Sequence, residues 1–88
     1  MSYATNGHHE NSSLRVEVPS AASGFMLVKR LGSGCSLDGS DVEGWVVLGT
    51  TNGDLPHALA EIQRWLRDES IDQVTVHLGD HTHSMTRD

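Results

Sequence analysis

The sequence predicts a small α+β domain with the element order β-β-β-α-β, in which one helix packs on one face of a mixed four-stranded sheet. Two observations lead to this prediction. Short segments with alternating or continuous apolar residues, which are typical of strands, occur four times. One longer segment repeats its apolar residues every three or four positions, which is typical of an amphipathic helix. A chain of 88 residues has room for a single core.

The first two strands are predicted in the N-terminal half of the chain. Leu14, Val16 and Val18 alternate with polar residues, the pattern of a strand that buries one face. Small residues and a proline at positions 19–24 then indicate a connector. The segment 25–31 (FMLVKRL) begins with four apolar residues, so we predict a second strand that is apolar on both faces.

A loop and a third strand are predicted next. Glycine, serine and aspartate dominate positions 32–41, which indicates a loop, and Cys35 lies within it as an ordinary loop cysteine. The segment 43–50 contains the apolar run WVVL and is predicted to be the third strand. We expect the second and third strands to form an antiparallel hairpin with a long tip.

The helix is predicted over residues 55–69. Asp54 can cap its N-terminus, and Pro56 lies in the first turn, where the missing N–H costs nothing. The predicted buried stripe contains Leu55, Ala58, Leu59, Ile62, Trp65 and Leu66.

A fourth strand is predicted at residues 73–78, where valine and leucine alternate with polar residues and Gly79 follows. A helical crossover would make this strand parallel to the third strand. Residues 81–88 are expected to form either a short edge extension or a tail, with the chain after about residue 83 as the part without regular structure.

The domain organisation follows from the composition. Residues 1–12, which include the pair His8 and His9, are polar and are predicted to be a flexible segment ahead of a single domain at 13–88. The chain contains neither the roughly 20 apolar residues of a membrane span nor a secretion signal, so we expect a cytoplasmic protein.

The charge balance bears on the class of partner. Twelve acidic and six basic residues give a net charge of −6, which disfavours binding to nucleic acids and to anionic membranes. An acidic domain of this size could instead act as an adaptor or inhibitor of a basic partner protein.

The favoured hypothesis is a non-enzymatic interaction module that forms a homodimer. One helix can cover only one sheet face, so apolar residues of the second and third strands should remain uncovered and form an interface. The interface candidates are Met26, Val28, Trp45, Val46 and Leu48, with Trp45 as the anchor.

The alternative hypothesis is a metal-binding protein or a metal-dependent enzyme that uses the C-terminal histidines. His77, His81 and His83 share the same parity in an extended chain, and Asp80 lies between them. Imidazole and carboxylate ligands would suit zinc or nickel. Surface histidines without a metal are the simpler interpretation of the same pattern.

Overall fold

A computed structural model of the chain describes residues 13–32, 34–50 and 55–87. Within these residues the elements follow the order β-α-β-β-α-β-β. The strands are β1 (Ser13–Val18), β2 (Ser36–Ser40), β3 (Gly44–Thr50), β4 (Gln73–Leu78) and β5 (His81–Thr86), and the helices are α1 (Ala21–Leu31) and α2 (Leu55–Asp68). The predicted flexible segment at 1–12 lies outside the described residues.

The strands form one sheet in the order β2-β3-β1-β4-β5, in which every neighbouring pair is antiparallel. Each helix connects two strands that have another strand between them: α1 leads from β1 to β2 across β3, and α2 leads from β3 to β4 across β1. Two such split β-α-β units make the ferredoxin-like arrangement. β5 extends that arrangement beyond β4.

The predicted element order and the predicted sheet are wrong, although the α+β class is right. The structure has a five-stranded antiparallel sheet and two helices instead of a mixed four-stranded sheet and one helix. The predicted second strand at 25–31 belongs to α1. The parallel contact expected between the third and fourth strands is not formed, because β1 lies between β3 and β4.

The ends of α1 carry clear helix signals. The Ser20 hydroxyl accepts a hydrogen bond from the Ser23 N–H at 3.1 Å and so caps the N-terminus. At the C-terminus Gly32 has a positive φ of 87°, and its N–H donates to the Val28 carbonyl at 2.9 Å. Leu27 is fully buried, and Val28 and Leu31 pack against the core. These three inward residues are one, three and four positions apart, which is the spacing of one helix face. The apolar run taken alone is also compatible with a strand.

Four of the other predicted elements agree with the structure, whereas the predicted loop does not, and β5 continues to Thr86 although no regular structure was expected after about residue 83. The helix predicted over 55–69 corresponds to α2, and the strands predicted near 14–18, 43–50 and 73–78 correspond to β1, β3 and β4. The predicted loop at 32–41 contains β2. The hairpin partner of β3 is therefore β2 and not the segment 25–31, and only residues 41–43 separate the two strands.

Both helices pack on the same sheet face and share one core. The largest fully buried side chains are Trp65, Leu14, Leu27, Ile62, Leu66, Val16, Val47 and Val76. The indole N–H of Trp65 donates to the Ser23 carbonyl at 2.7 Å, so a buried hydrogen bond joins α2 to α1. At the surface Arg30 of α1 pairs with Asp68 of α2. Neither helix of the described residues combines the length and the apolar character that a bilayer crossing requires.

Candidate functional site

The sheet face without helices, here called the open face, is mainly polar. Cross-strand pairing determines its composition, because directly paired residues project to the same side. One row runs across β2, β3, β1, β4 and β5 through Ser36, Leu48, Arg15, His77 and Thr82. The next row contains Asp38, Val46, Glu17, Thr75 and Ser84. Two apolar side chains thus lie among charged and hydroxyl groups.

The interface candidates lie on three different surfaces. Val46 and Leu48 lie half-buried on the open face. Trp45 instead lies on the helix-covered face, opposite Val18, where it packs against the core and its indole N–H donates to Asp41 Oδ1 at 2.9 Å. The five candidates therefore do not form one continuous patch, and their role in an interface stays a prediction.

The remaining two candidates belong to α1 and not to a strand. Met26 is 41% exposed on the outer side of the helix, whereas Val28 packs against the core. Phe25 beside Met26 is 55% exposed, and the ammonium group of Lys29 lies 5.4 Å from the centre of its ring. This cation–π contact covers part of the exposed aromatic surface.

The four predicted metal ligands are separated by the hairpin register. Residues 79 and 80 form the turn between β4 and β5, so residue 77 pairs with 82 and residue 78 pairs with 81. His77 therefore projects from the open face, while His81 and His83 project to the opposite side, with ring centres 6.2 Å apart. Across the described part of the chain, no group of three or more His, Cys, Asp or Glu side chains could hold a metal ion.

His77 takes part in a hydrogen-bonded network on the open face. Its Nε2 lies 2.6 Å from Glu17 Oε2, and its Nδ1 lies 3.2 Å from the Thr82 hydroxyl. The carboxylate can only accept, so Nε2 carries a proton, and in the neutral ring Nδ1 accepts from Thr82. The order hydroxyl, imidazole, carboxylate is that of acyl-transfer triads. However, Glu17 and Thr82 are exposed, so this network orients the ring on an open surface and does not enclose a catalytic site.

The sequence pointed to His77 only as a metal ligand, and it gave no sign of the hydrogen-bond partners Glu17 and Thr82. Glu17 lies 60 residues earlier in the chain, and the two side chains meet because β1 and β4 are neighbours in the sheet. No local spacing signals such a contact. The strand order was the missing information.

An apolar groove lies on the helix side near the β5 edge. Its volume is about 320 Å³, and its lining consists of Leu55, Leu59, Val76, Leu78, His83 and Met85. Residues of α2 form one wall, and β4 and β5 form the floor. The groove ends at the edge strand, so the sheet extends beyond the cover that α2 provides.

The edge strand β5 leaves main-chain groups outside the sheet. The Arg87 N–H donates to the Asp72 carbonyl at 2.9 Å, which makes this pair a hydrogen-bonded one. Hydrogen-bonded and non-bonded pairs alternate in an antiparallel ladder, so Thr82, Ser84 and Thr86 direct their main-chain groups away from β4. The Thr86 carbonyl accepts from the Gln63 side chain at 2.9 Å. The main chain at Thr82 and Ser84 is thus positioned to pair with a further strand.

Cys35 is half-buried rather than exposed at a loop tip. Burial raises the pKa of its thiol, against a smaller opposite effect from a hydrogen bond with the Thr50 main chain. A raised thiol pKa keeps the less reactive protonated form at neutral pH. This residue therefore has the properties of a structural cysteine.

Comparisons of the chain with protein-family models, with curated proteins and with solved structures found no match.

Proposed function

We propose that this protein is a self-associating interaction module in which two copies pair through their β5 edges. The observation that supports the proposal is the composition of β5. Its six residues include no lysine, no carboxylate and no proline, which are the groups that usually protect an edge strand from pairing. The opposite edge strand, β2, contains Asp38 and Gly39.

A two-fold arrangement agrees with the directions of the main-chain groups. In an antiparallel pair of β5 strands, the even-numbered residues of each copy would face those of the other, because their N–H and C=O groups point outward. Ser84 would lie near the centre of this pair. The ends of the strand carry opposite charges: Asp80 precedes β5, and Arg87, which pairs with Asp72 of its own copy, follows it. Antiparallel pairing would bring Asp80 of each copy near Arg87 of the other.

The apolar groove supplies the burial that strand pairing alone lacks. Two short strands share little apolar surface, whereas stable interfaces typically bury about 1,200–2,000 Å² in total. Edge pairing would place the grooves of the two copies next to each other on the same side of a continuous sheet. Leu55 and Met85 of each copy would then lose contact with water, which stabilises association.

The open face is the weaker alternative for the same association. Val46 and Leu48 adjoin Arg15 and Glu17 on the neighbouring strand β1. A face-to-face contact would bury those charges, which is costly unless each finds a partner. β5 itself contains no Asp, Glu, Lys or Arg, and the charges at its ends would meet charges of opposite sign, so this edge supports association better.

Light scattering of the wild-type chain and of Ser84→Lys tests the proposal. The wild type should be a dimer at high concentration, and Ser84→Lys should be a monomer, because a lysine on the edge opposes strand pairing. Ser36→Lys is the matched control, since Ser36 is an exposed serine on the same face of the opposite edge strand. It should remain a dimer.

Two outcomes would reject this assembly. One is a wild-type chain that stays monomeric at high concentration. The other is a dimer that both lysine variants weaken equally, which would point to a general charge effect. Circular dichroism of each variant verifies that the fold is retained, because Ser84 also accepts a hydrogen bond from the Gln73 side chain at 2.6 Å.

A further inference from the structure

We infer that the open face binds a small aliphatic carboxylate, with the guanidinium of Arg15 as the group that holds the ligand. The open face is a different surface from the β5 edge, so ligand binding there does not depend on self-association. The site is a depression of about 370 Å³, within the usual range for small-ligand sites. Its lining consists of Ser13, Leu14, Arg15, Leu48, Gly49, His77 and Gly79.

Arg15 differs from Arg30, Arg64 and Arg87 in its ion pairing. Arg30, Arg64 and Arg87 each form an ion pair with a carboxylate. Arg15 is exposed and forms no ion pair with any residue in 13–32, 34–50 and 55–87. Among the residues that the structure describes, the guanidinium of Arg15 therefore keeps its hydrogen-bond donors available to an anion.

The neighbouring carboxylate is held elsewhere. Glu17 lies two residues from Arg15 on the same face, and it could neutralise the guanidinium. Its Oε2 instead lies 2.6 Å from Nε2 of His77. His77 is held from the other side by Thr82, so both of its ring nitrogens are engaged. The network therefore makes His77 a wall of the depression and leaves Arg15 as its cationic donor.

The lining favours a carboxylate with a short apolar chain. A guanidinium binds a carboxylate through two parallel hydrogen bonds and neutralises one charge. Leu48 lies directly opposite Arg15 on β3 and offers an apolar surface beside the cation. A phosphate dianion would require a second cation, and the nearby Glu17 carboxylate repels a dianion more strongly than a monoanion. A monoanion of this kind matches both the charge and the surface.

An NMR titration with butyrate tests the site, with butyramide as the uncharged ligand of the same shape. We expect butyrate to shift the amide signals of β1 and β4 around Arg15 and His77, and butyramide to bind at least about tenfold more weakly, as expected for loss of charge-assisted hydrogen bonds. Arg15→Gln should weaken butyrate binding by about the same factor. Arg64→Gln, which makes the same charge change on α2, should leave it unchanged.

Each contrary result overturns the inference. Equal binding of butyrate and butyramide would show that charge plays no part. Unchanged butyrate binding by Arg15→Gln would remove Arg15 from the site, and tighter binding of inorganic phosphate than of butyrate would exclude a carboxylate site. Absence of any shift up to high butyrate concentration would exclude the site altogether. The Ser84→Lys variant should bind butyrate like the wild type, which separates this result from the test of the dimer.

Discussion

Gly24 lies at a close contact between α1 and side chains of the sheet. A Cβ atom at this position would lie 2.5 Å from Cδ1 of Leu37 and 2.8 Å from Cγ2 of Val18. Both distances are shorter than carbon atoms tolerate. Glycine here serves the contact between the helix and the sheet, although in the sequence it resembles part of a connector.

Gly24→Ala should therefore destabilise the protein despite the better helix propensity of alanine. Propensity favours alanine by about 1 kcal/mol. Overpacking in a tight core costs about 1–3 kcal/mol, and Val18 is buried and stiff. We expect a net loss of about 1 kcal/mol in the free energy of unfolding, measured with urea. As a control, Ala22→Gly changes an exposed position of the same helix, so its effect on stability comes from helix propensity alone. A Gly24→Ala variant that is more stable than the wild type would contradict the close contact.

At the scale of elements, α1 is the helix that was predicted to be a strand. Its four consecutive apolar residues fit a buried strand, but the residues at both ends fit a helix. Ser20 accepts from the Ser23 N–H, and Lys29 and Arg30 lie in the last turn, where cations favour the helix dipole. These end signals are short and occur in loops as well, so a longer apolar run outweighed them.

Removal of the cap distinguishes the two interpretations of this segment. Ser20→Ala should lower the free energy of unfolding by about 1 kcal/mol, because it leaves the Ser23 N–H without its partner. Ser36→Ala, in the exposed edge strand β2, should have little effect. Urea unfolding of both variants measures the difference, and equal values for the two would argue against a capped helix at 21–31.

At the scale of the whole molecule, β1 occupies the centre of the sheet although it begins the described chain. It pairs with β3 on one side and β4 on the other, and its inward residues Leu14, Val16 and Val18 are all buried. Its stability therefore depends on strands that lie far away in the sequence. Such non-local pairing favours slow, cooperative folding.

Hydrogen exchange should report both the central strand and the proposed dimer. The amides of β1 should exchange most slowly, because a strand between two neighbours opens only with the whole fold. The amides of Thr82 and Ser84 should exchange rapidly at low protein concentration and slowly at high concentration, because only a second β5 would protect them. Ser84→Lys should abolish this concentration dependence at Thr82, and protection at Thr82 that is independent of concentration would contradict edge pairing.

Part of the candidate surfaces could be predicted from residue type and part could not. The sequence showed that the strand at 43–50 carries apolar residues of both parities, but it did not show which set faces the helices; in the structure Val47 is buried and Val46 and Leu48 lie on the other face. The histidines were grouped by parity along one chain, but the two-residue turn places residues of equal parity on opposite faces of the hairpin. Arg15, Glu17 and Thr82 carried no local signal, since only neighbouring strands bring them to His77.

By itself, the sequence determined the elements whose pattern is local and unambiguous. The stripe of α2 and the alternation in β1 and β4 each identify one face to bury, so no tertiary information was needed. Only the tertiary structure decided that residues 21–31 form a helix and that β1 separates β3 from β4. The physical reason is that α2 alone cannot cover five strands. A short apolar segment can bury its side chains either as a strand or as a helix. Residues 21–31 form a helix because part of the sheet would otherwise stay uncovered.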